Sequence, residues 1–316
     1  MILTIFRRVG GSLLTLLLAS LVLFIMIRLA PGDPIMLLMG QPGDLGISDT
    51  KLMRERIEAI RAEHGLDQGI MTQYGRWLKN LVTLNLGNSI QTRRPVITEI
   101  GERVPATLLL SFAALFLQIL LGTAGGTYTA VKAGKPSDGA IRLVCVFFAS
   151  VPGFVIALFL LSICAVKFHV YEISSSGGIH RLWLPALTLA LAGAPQIIRM
   201  IRANILSELG QVYVSSAISR GLSKGLVVKN ALQNALLPAV TAIGLSLTHL
   251  TGGAVVIESI FSWPGIGNYA MNSILMHDYP AIQGYAVLTV SAVIIINLMV
   301  DLTYILIDPR IRGNEG

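Results

Sequence analysis

Ser246 and His249 stand one helical turn apart, and they are the sequence's only hint of a nucleophile beside a base. No third group that would orient the histidine is in view, so hydrolysis is not the reading carried forward. The five histidines, at 64, 169, 180, 249 and 277, are scattered. No pair has ligand spacing on one helix and no cysteine sits beside one, so a metal site in this chain is not expected. The chain also lacks a G-x-x-x-x-G-K-[ST] loop, and with it that kind of cradle for nucleotide phosphates. No catalytic residue and no resident cofactor are therefore assigned. Three ionisable residues, Arg28, Glu258 and Asp301, fall at or near the ends of apolar runs. Charges at such depth are functional candidates, although near an interface they also snorkel or pair.

The elements that must hold these residues are apolar. The chain has 316 residues, 53% of them hydrophobic and 13% charged, with a mean hydropathy of +0.71. Soluble domains carry about 25% charge, so the composition is that of an integral membrane protein. The net charge of +7 reads as a topology signal on a membrane chain rather than as a nucleic-acid footprint. Cys145 and Cys164 both lie in apolar runs and are expected to be reduced.

A hydrocarbon core of ~30 Å needs about twenty helical residues. Runs near that length occur at about 9–30, 106–131, 141–168, 182–200, 236–257 and 284–307. The first is too long for a signal-peptide core and "APGDP" follows it, so an uncleaved span is expected. Pro152–Gly153 and Pro195 are expected to kink the third and fourth spans. Gly122 and Gly126 form a small-x-x-x-small pair in the second, which allows close helix approach, either within this chain or against another. With the N-terminus inside, the short inner segments hold twelve basic residues, including Arg7, Arg8, Lys132 and Arg202, against four acidic ones. Both ends are then cytoplasmic, and six spans satisfy that parity.

Segment 31–103 lies outside and balances nine basic with nine acidic residues. "SDTKLMRERIEAIRAEHGLD" and "MTQYGRWLKNLV" read as short helices; the second turns Tyr74, Trp77 or Leu78, and Leu81 inward. Segment 259–283, "SIFSWPGIGNYAMNSILMHDYPAIQ", is too polar to span and too apolar to be loose. Backbone of that kind needs protein or a watery cavity around it. Glu258, Trp263, Pro264, Gly265, His277 and Asp278 are its candidate pathway or outer-gate residues; a solvated helix end is the plainer reading of the last two. The remaining boundaries are 1–30 for the N-terminus and first span, 104–307 for the membrane core, and 308–316 for a cytoplasmic tail.

Between the fourth and fifth spans the chain spends residues 203–235 on the inner face, with glycines at 210, 221 and 225. Two short helices are expected there. Ala217 and Gly221, four apart, would share a small face that sits deep in a groove on another protein. A plain basic loop that only fixes topology accounts for the same composition, and elementary physics leaves both readings open.

Here the segment resembles the cytoplasmic signature of ABC-importer permeases, in which an Ala-x-x-x-Gly element docks into the ATPase subunit. The chain is most similar within that superfamily to the dipeptide, oligopeptide and nickel permeases. "MIRLAPGDP", "GLDQGIMTQYGRWL", "LNLGNSI", "AISRGL", "NALLP", "IESIFSWPGIGNYAMNSILMHDYPAIQGY" and "NLMVDLTYILIDPRIR" carry the likeness in order along nearly the whole chain. It departs at Val212, where an acidic residue often precedes the tyrosine, at Ser215 and Ile218, where basic residues are frequent, and at Gly69, where proline is common. The gap from Gly221 to Pro238 is also about one residue short of the family pattern. The resemblance implies an all-α protein of type I importer architecture in the bacterial cytoplasmic membrane. It implies a second homologous permease chain, two ATP-binding subunits that hold ATP and Mg, and an external substrate-binding protein. It assigns ATPase coupling to Ala217, Arg220, Gly221, Leu222, Ser223 and Lys224. Short peptides, nickel complexes and related metal chelates are the cargo classes it allows. An ion-coupled secondary transporter is the alternative; that would want broken helices and ionisable groups near mid-membrane, and the sequence has few of either.

Overall fold

The computed structural model describes residues 2–29, 68–173 and 178–307. They form α1 (Ile2–Leu29), α2 (Ile70–Val82), α3 (Val96–Val131), α4 (Pro136–Ser150) and α5 (Gly153–Leu161). A π-helical turn (Ser162–Lys167) and a 3-10 turn (Ile179–Arg181) follow, then α6 (Trp183–Leu209), α7 (Val212–Ser219), α8 (Lys224–Ile260), α9 (Ile266–Leu275) and α10 (Tyr279–Ile307). Among the described residues β pairing is limited to an isolated bridge between Asn88 and Pro95. The expected helix within 48–67 and the tail at 308–316 lie outside the described residues.

Among the described residues, four helical stretches are long and apolar enough to cross a membrane: Phe6–Met26, Val96–Val131, Ile179–Leu209 and Tyr279–Val300. A fifth candidate, Pro136–Ser150 with Gly153–Lys167, bends by 102° at its break. The break falls where expected. Proline lacks an N–H and drives its predecessor out of the helical region, and Val151 is extended with ψ 128. Pro195 behaves differently, because α6 continues through it without interruption. The run at 236–257 lies inside α8, which at 37 residues measures about 55 Å.

The chain divides into two compact units, Met1–Ser12 with Glu102–Asn272 and Ser291–Gly316, and Leu13–Gly101 with Ser273–Val290. The first unit is organised around α6. Ile197, Ile201 and Ile205 on one face of α6 are buried with Ala130, Ala231 and Ala235, and a second apolar cluster gathers Leu110, Leu184, Leu250, Ile257, Phe261 and Trp263. Glycine sets the approach of α3 to α6. A Cβ at Gly122 or Gly126 would come within 2.8 Å of Ile197 Cβ or Ile201 Cβ, so the small pair packs inside this chain. Charge ties α4 to α6: Arg202 Nε and Nη2 reach the two Asp138 oxygens at 2.9 and 2.7 Å, and Gly134 N donates to the same carboxylate at 3.2 Å. Phe112, Phe116 and Leu120 on α3 stay exposed, as lipid-facing or partner-facing side chains do.

In the second unit α2 turns Tyr74 and Trp77 onto Phe24 of α1, with ring centroids 5.4 and 5.8 Å away. The Tyr74 hydroxyl lies 2.8 Å from Ser20 Oγ. Leu78 and Leu81 share that half-buried face of α2.

Candidate functional site

The connector between α6 and α8 is built from backbone bonds. α7 ends in a Schellman turn: Gly221 N donates to Ile218 O at 2.9 Å and Leu222 N to Ala217 O at 3.2 Å. That turn needs a left-handed residue after the cap, and Gly221 supplies it with φ +90. The next residue but one starts α8. Ser223 Oγ accepts from Leu226 N at 3.4 Å, the bond a helix N-cap makes to the third residue. Four residues, Arg220–Ser223, thus carry the chain from one helix into the next with no loose step. The expected shared face of Ala217 and Gly221 does not form, because Gly221 lies beyond the end of α7 rather than on it. The expected second short helix is not separate either. Gly225 falls in the first turn of α8, where a glycine does not break a helix that is already capped, and α8 runs on to Ile260.

Side chains then lock the connector. Glu208 at the end of α6 accepts from Tyr213 Oη at 2.7 Å and from Asn234 Nδ2 at 3.0 Å, joining α6, α7 and α8. This carboxylate, accepting the phenol's proton, holds Tyr213 above the usual tyrosine range. Val214 and Val227 are buried on the inner sides of α7 and α8. What remains outward is Val212, which is 83% exposed, with Tyr213, Ile218 and the exposed Arg220, whose Nε bonds Ser216 O at 3.2 Å. Sequence reasoning missed Glu208, Tyr213 and Asn234 as a set; a lone glutamate ahead of an aromatic was the available signal.

The outer-gate candidates of the first unit form a clamp. Glu258 is fully buried at the end of α8. Its Oε2 accepts from Gly267 N at 2.8 Å and Asn268 N at 3.1 Å, the unpaired amides that open α9. A helix N-terminus favours negative charge, so Glu258 caps α9 from another helix. Thr107 of α3 donates to Glu258 Oε1 at 2.7 Å and accepts from Ile266 N at 2.9 Å. Trp263 is buried and donates Nε1–H to Ala106 O at 2.9 Å. Pro264 and Gly265 make the turn, and a side chain on Gly265 would collide with the Glu258 carboxylate. Trp263 N donates to Glu258 O at 2.8 Å and Ser262, with φ 49, closes α8 in the same Schellman pattern as Gly221. The sequence pointed to Glu258 but not to Thr107, which lies 151 positions away.

His277 and Asp278 belong to the second unit. His277 closes α9 at φ 55, with Asp278 N donating to Ser273 O at 2.8 Å. Asp278 is buried and caps α10 through Ala281 N at 3.3 Å. Its carboxylate also accepts from Ser89 Oγ, Ile90 N and Gln91 N. His277 is exposed. Among the described residues no three His, Cys, Asp or Glu side chains converge.

The first unit also contains a half-open cavity of about 470 Å³. Gln118 on α3, Thr188 and Gln196 on α6, and Ser246 on α8 line it beside Phe154 and Leu250.

Residues 122–313 match the family described as binding-protein-dependent transport system inner membrane component, and residues 1–111 match that family's N-terminal region. A glutathione transport system permease protein of Escherichia coli strain K12 is 33% identical over 309 residues, covering 98% of both chains. The same named protein of Shigella flexneri serotype 5b agrees to the same extent. A putative peptide permease of Brucella ovis is 35% identical over 318 residues, covering 96% of this chain and 95% of its own. Among solved structures, the inward-facing MetNI methionine ABC transporter superposes with a TM-score of 0.54 at 19% identity, over 66% of this chain and 96% of that one. That likeness speaks to the fold.

Proposed function

The chain belongs to the family of binding-protein-dependent transport system inner membrane components, the permease subunits of ABC importers, and from that premise we propose how it works and what it carries. It is a multi-pass inner-membrane subunit of the peptide-transport branch. Its six spans are α1, α3, the bent α4–α5 pair, α6, α8 and α10, with both termini cytoplasmic. It pairs with a second, homologous permease, and two ATPase subunits bind ATP and Mg below them. An external binding protein delivers the cargo, which is a short peptide; relatives named for glutathione and peptide transport support this over nickel chelates.

The observation that carries the reading is the locked connector. ATP-driven closure of an ATPase pair moves whatever is docked to it, and that displacement reaches the spans only through a stiff joint. α7 is joined to α6 through Glu208 and to α8 through the capping bonds of the four residues Arg220–Ser223. Ala217, Arg220, Gly221, Leu222, Ser223 and Lys224 form that joint and its docking edge. Reconstitution of the complete complex in liposomes tests the reading. Uptake of the delivered peptide is expected only with ATP inside the ATPase compartment. Uptake driven by an ion gradient without ATP, or by this chain alone, overturns it.

A further inference from the structure

The buried Gln118 amide has half of its chemistry unused. The residue is 2% exposed, and its Nε2 donates to Leu189 O at 3.1 Å across to α6. Its Oε1 is buried and has no hydrogen-bond partner. An amide oxygen withheld from water without a donor is costly and uncommon in a settled fold. The opposing backbone has made room for this side chain. A Cβ on Gly193 would come within 2.6 Å of Gln118 Cδ and 2.9 Å of Oε1, so a side chain there would push the amide aside.

Gln118 lines the 470 Å³ cavity, and the chemistry of the other walls narrows what fits. The polar members are Thr188, Gln196 and Ser246, all neutral; the rest are apolar or glycine, and no lining residue is ionisable. Such walls carry no charge to balance a bare ion. They match a ligand with amide N–H donors between small apolar groups, and the volume lies within the range of small-molecule sites. Depth agrees as well. Gln118 is at the middle of the apolar run 106–131 and Ser246 at the middle of 236–257, so the cavity lies at the level where membrane transporters hold cargo.

We propose that this cavity is a transit subsite for the peptide backbone of the cargo, in which Gln118 Oε1 accepts a cargo amide N–H. The proposal rests on the peptide-permease reading. Gln118 is thereby a specificity residue of this chain, and the permease reads the peptide bond independently of the binding protein.

The test compares dialanine with dialanine methylated on its one amide nitrogen, which removes the amide donor and keeps the charge. Uptake of each is measured in liposomes holding the complete complex, and rates are corrected for each probe's affinity for the isolated binding protein. Wild type is expected to prefer the unmethylated probe by at least about threefold, as sites built around a hydrogen bond do. Gln118→Leu is expected to bring that ratio to near one. A wild-type ratio of one, or the same preference in Gln118→Leu, overturns the proposal and leaves water alone as the occupant. If Gln118→Leu does not assemble, Ser246→Leu fills the cavity from α8 and leaves the Gln118–Leu189 bond in place; a retained preference there equally overturns it. ATP-dependent uptake by wild type stands or falls separately, so loss of the subsite and loss of the permease reading are distinguishable.

Discussion

Thr107 and Glu258 meet at 2.7 Å although 151 positions separate them, and between them they satisfy three backbone amides that open α9. The pair fastens α3, the end of α8 and α9 at a single point. Glu258 was legible as an ionisable residue near a span end. It holds a helix start, accepting from two amides and a hydroxyl.

Replacing Glu258 with Ala strands the amides of Gly267 and Asn268 in a buried place. A loss of about 2–3 kcal/mol is expected, with Glu258→Gln intermediate because its carbonyl oxygen still accepts. Thermal unfolding of the purified complex in detergent measures the order. Equal stability of Glu258→Ala and wild type contradicts the capping role.

Gly221 has open space around it, so the demand there is conformational. With φ +90, alanine costs about 1–2 kcal/mol locally. Gly221→Ala is expected to leave membrane assembly intact and to lower peptide uptake per ATP hydrolysed, and Gly221→Trp to lower it further. Unchanged uptake in both variants removes the connector from the coupling path.

His277 occupies the equivalent left-handed position after α9 at φ 55. Glycine there relieves strain, and His277→Gly is expected to stabilise the protein by up to about 1 kcal/mol. A lowered melting temperature means that the imidazole makes a contact worth more than the strain.

The Glu208–Tyr213 bond is surface-exposed, so its strength is modest. Tyr213→Phe is expected to weaken coupling of ATPase to uptake without changing assembly. Glu208→Gln with Tyr213→Phe should then cost less than the two single changes added together, which a double-mutant cycle reads directly. Full additivity means that the two side chains act apart.

Asp138 and Arg202 were counted in the sequence as topology charges. Their two-pronged contact predicts that Asp138→Ala destabilises the inner end of α6 and that Asp138→Arg with Arg202→Asp restores part of the loss. Hydrogen–deuterium exchange across residues 199–209 reports the change.

What the sequence disclosed followed from composition and period. Apolar runs marked α1, α3, α6 and α10 because twenty apolar residues have few other uses. Their ends drifted; the second run, read as 106–131, extends back to Val96 because the polar turn Thr98–Arg103 is helical without being apolar. Pro152 and Pro195 looked alike on paper. One breaks the chain and the other is absorbed, because only Pro152 follows a residue that turns extended. Ala217 and Gly221 looked like neighbours on a helix because four-residue spacing assumes that the helix continues; a glycine able to take positive φ ended it. Thr107 and Gln118 carried no local signal. Their meaning comes from distant partners, Glu258 and the carbonyl of Leu189, and spacing along a chain does not encode those.

The turn after α7 has one more consequence. Its geometry is written in main-chain bonds and one serine cap, while Val212, Ser215 and Ile218 face outward and hold nothing in place. Substitutions at those three positions are therefore expected to change the chemistry of the exposed face of α7 while leaving the bonds that shape the turn intact.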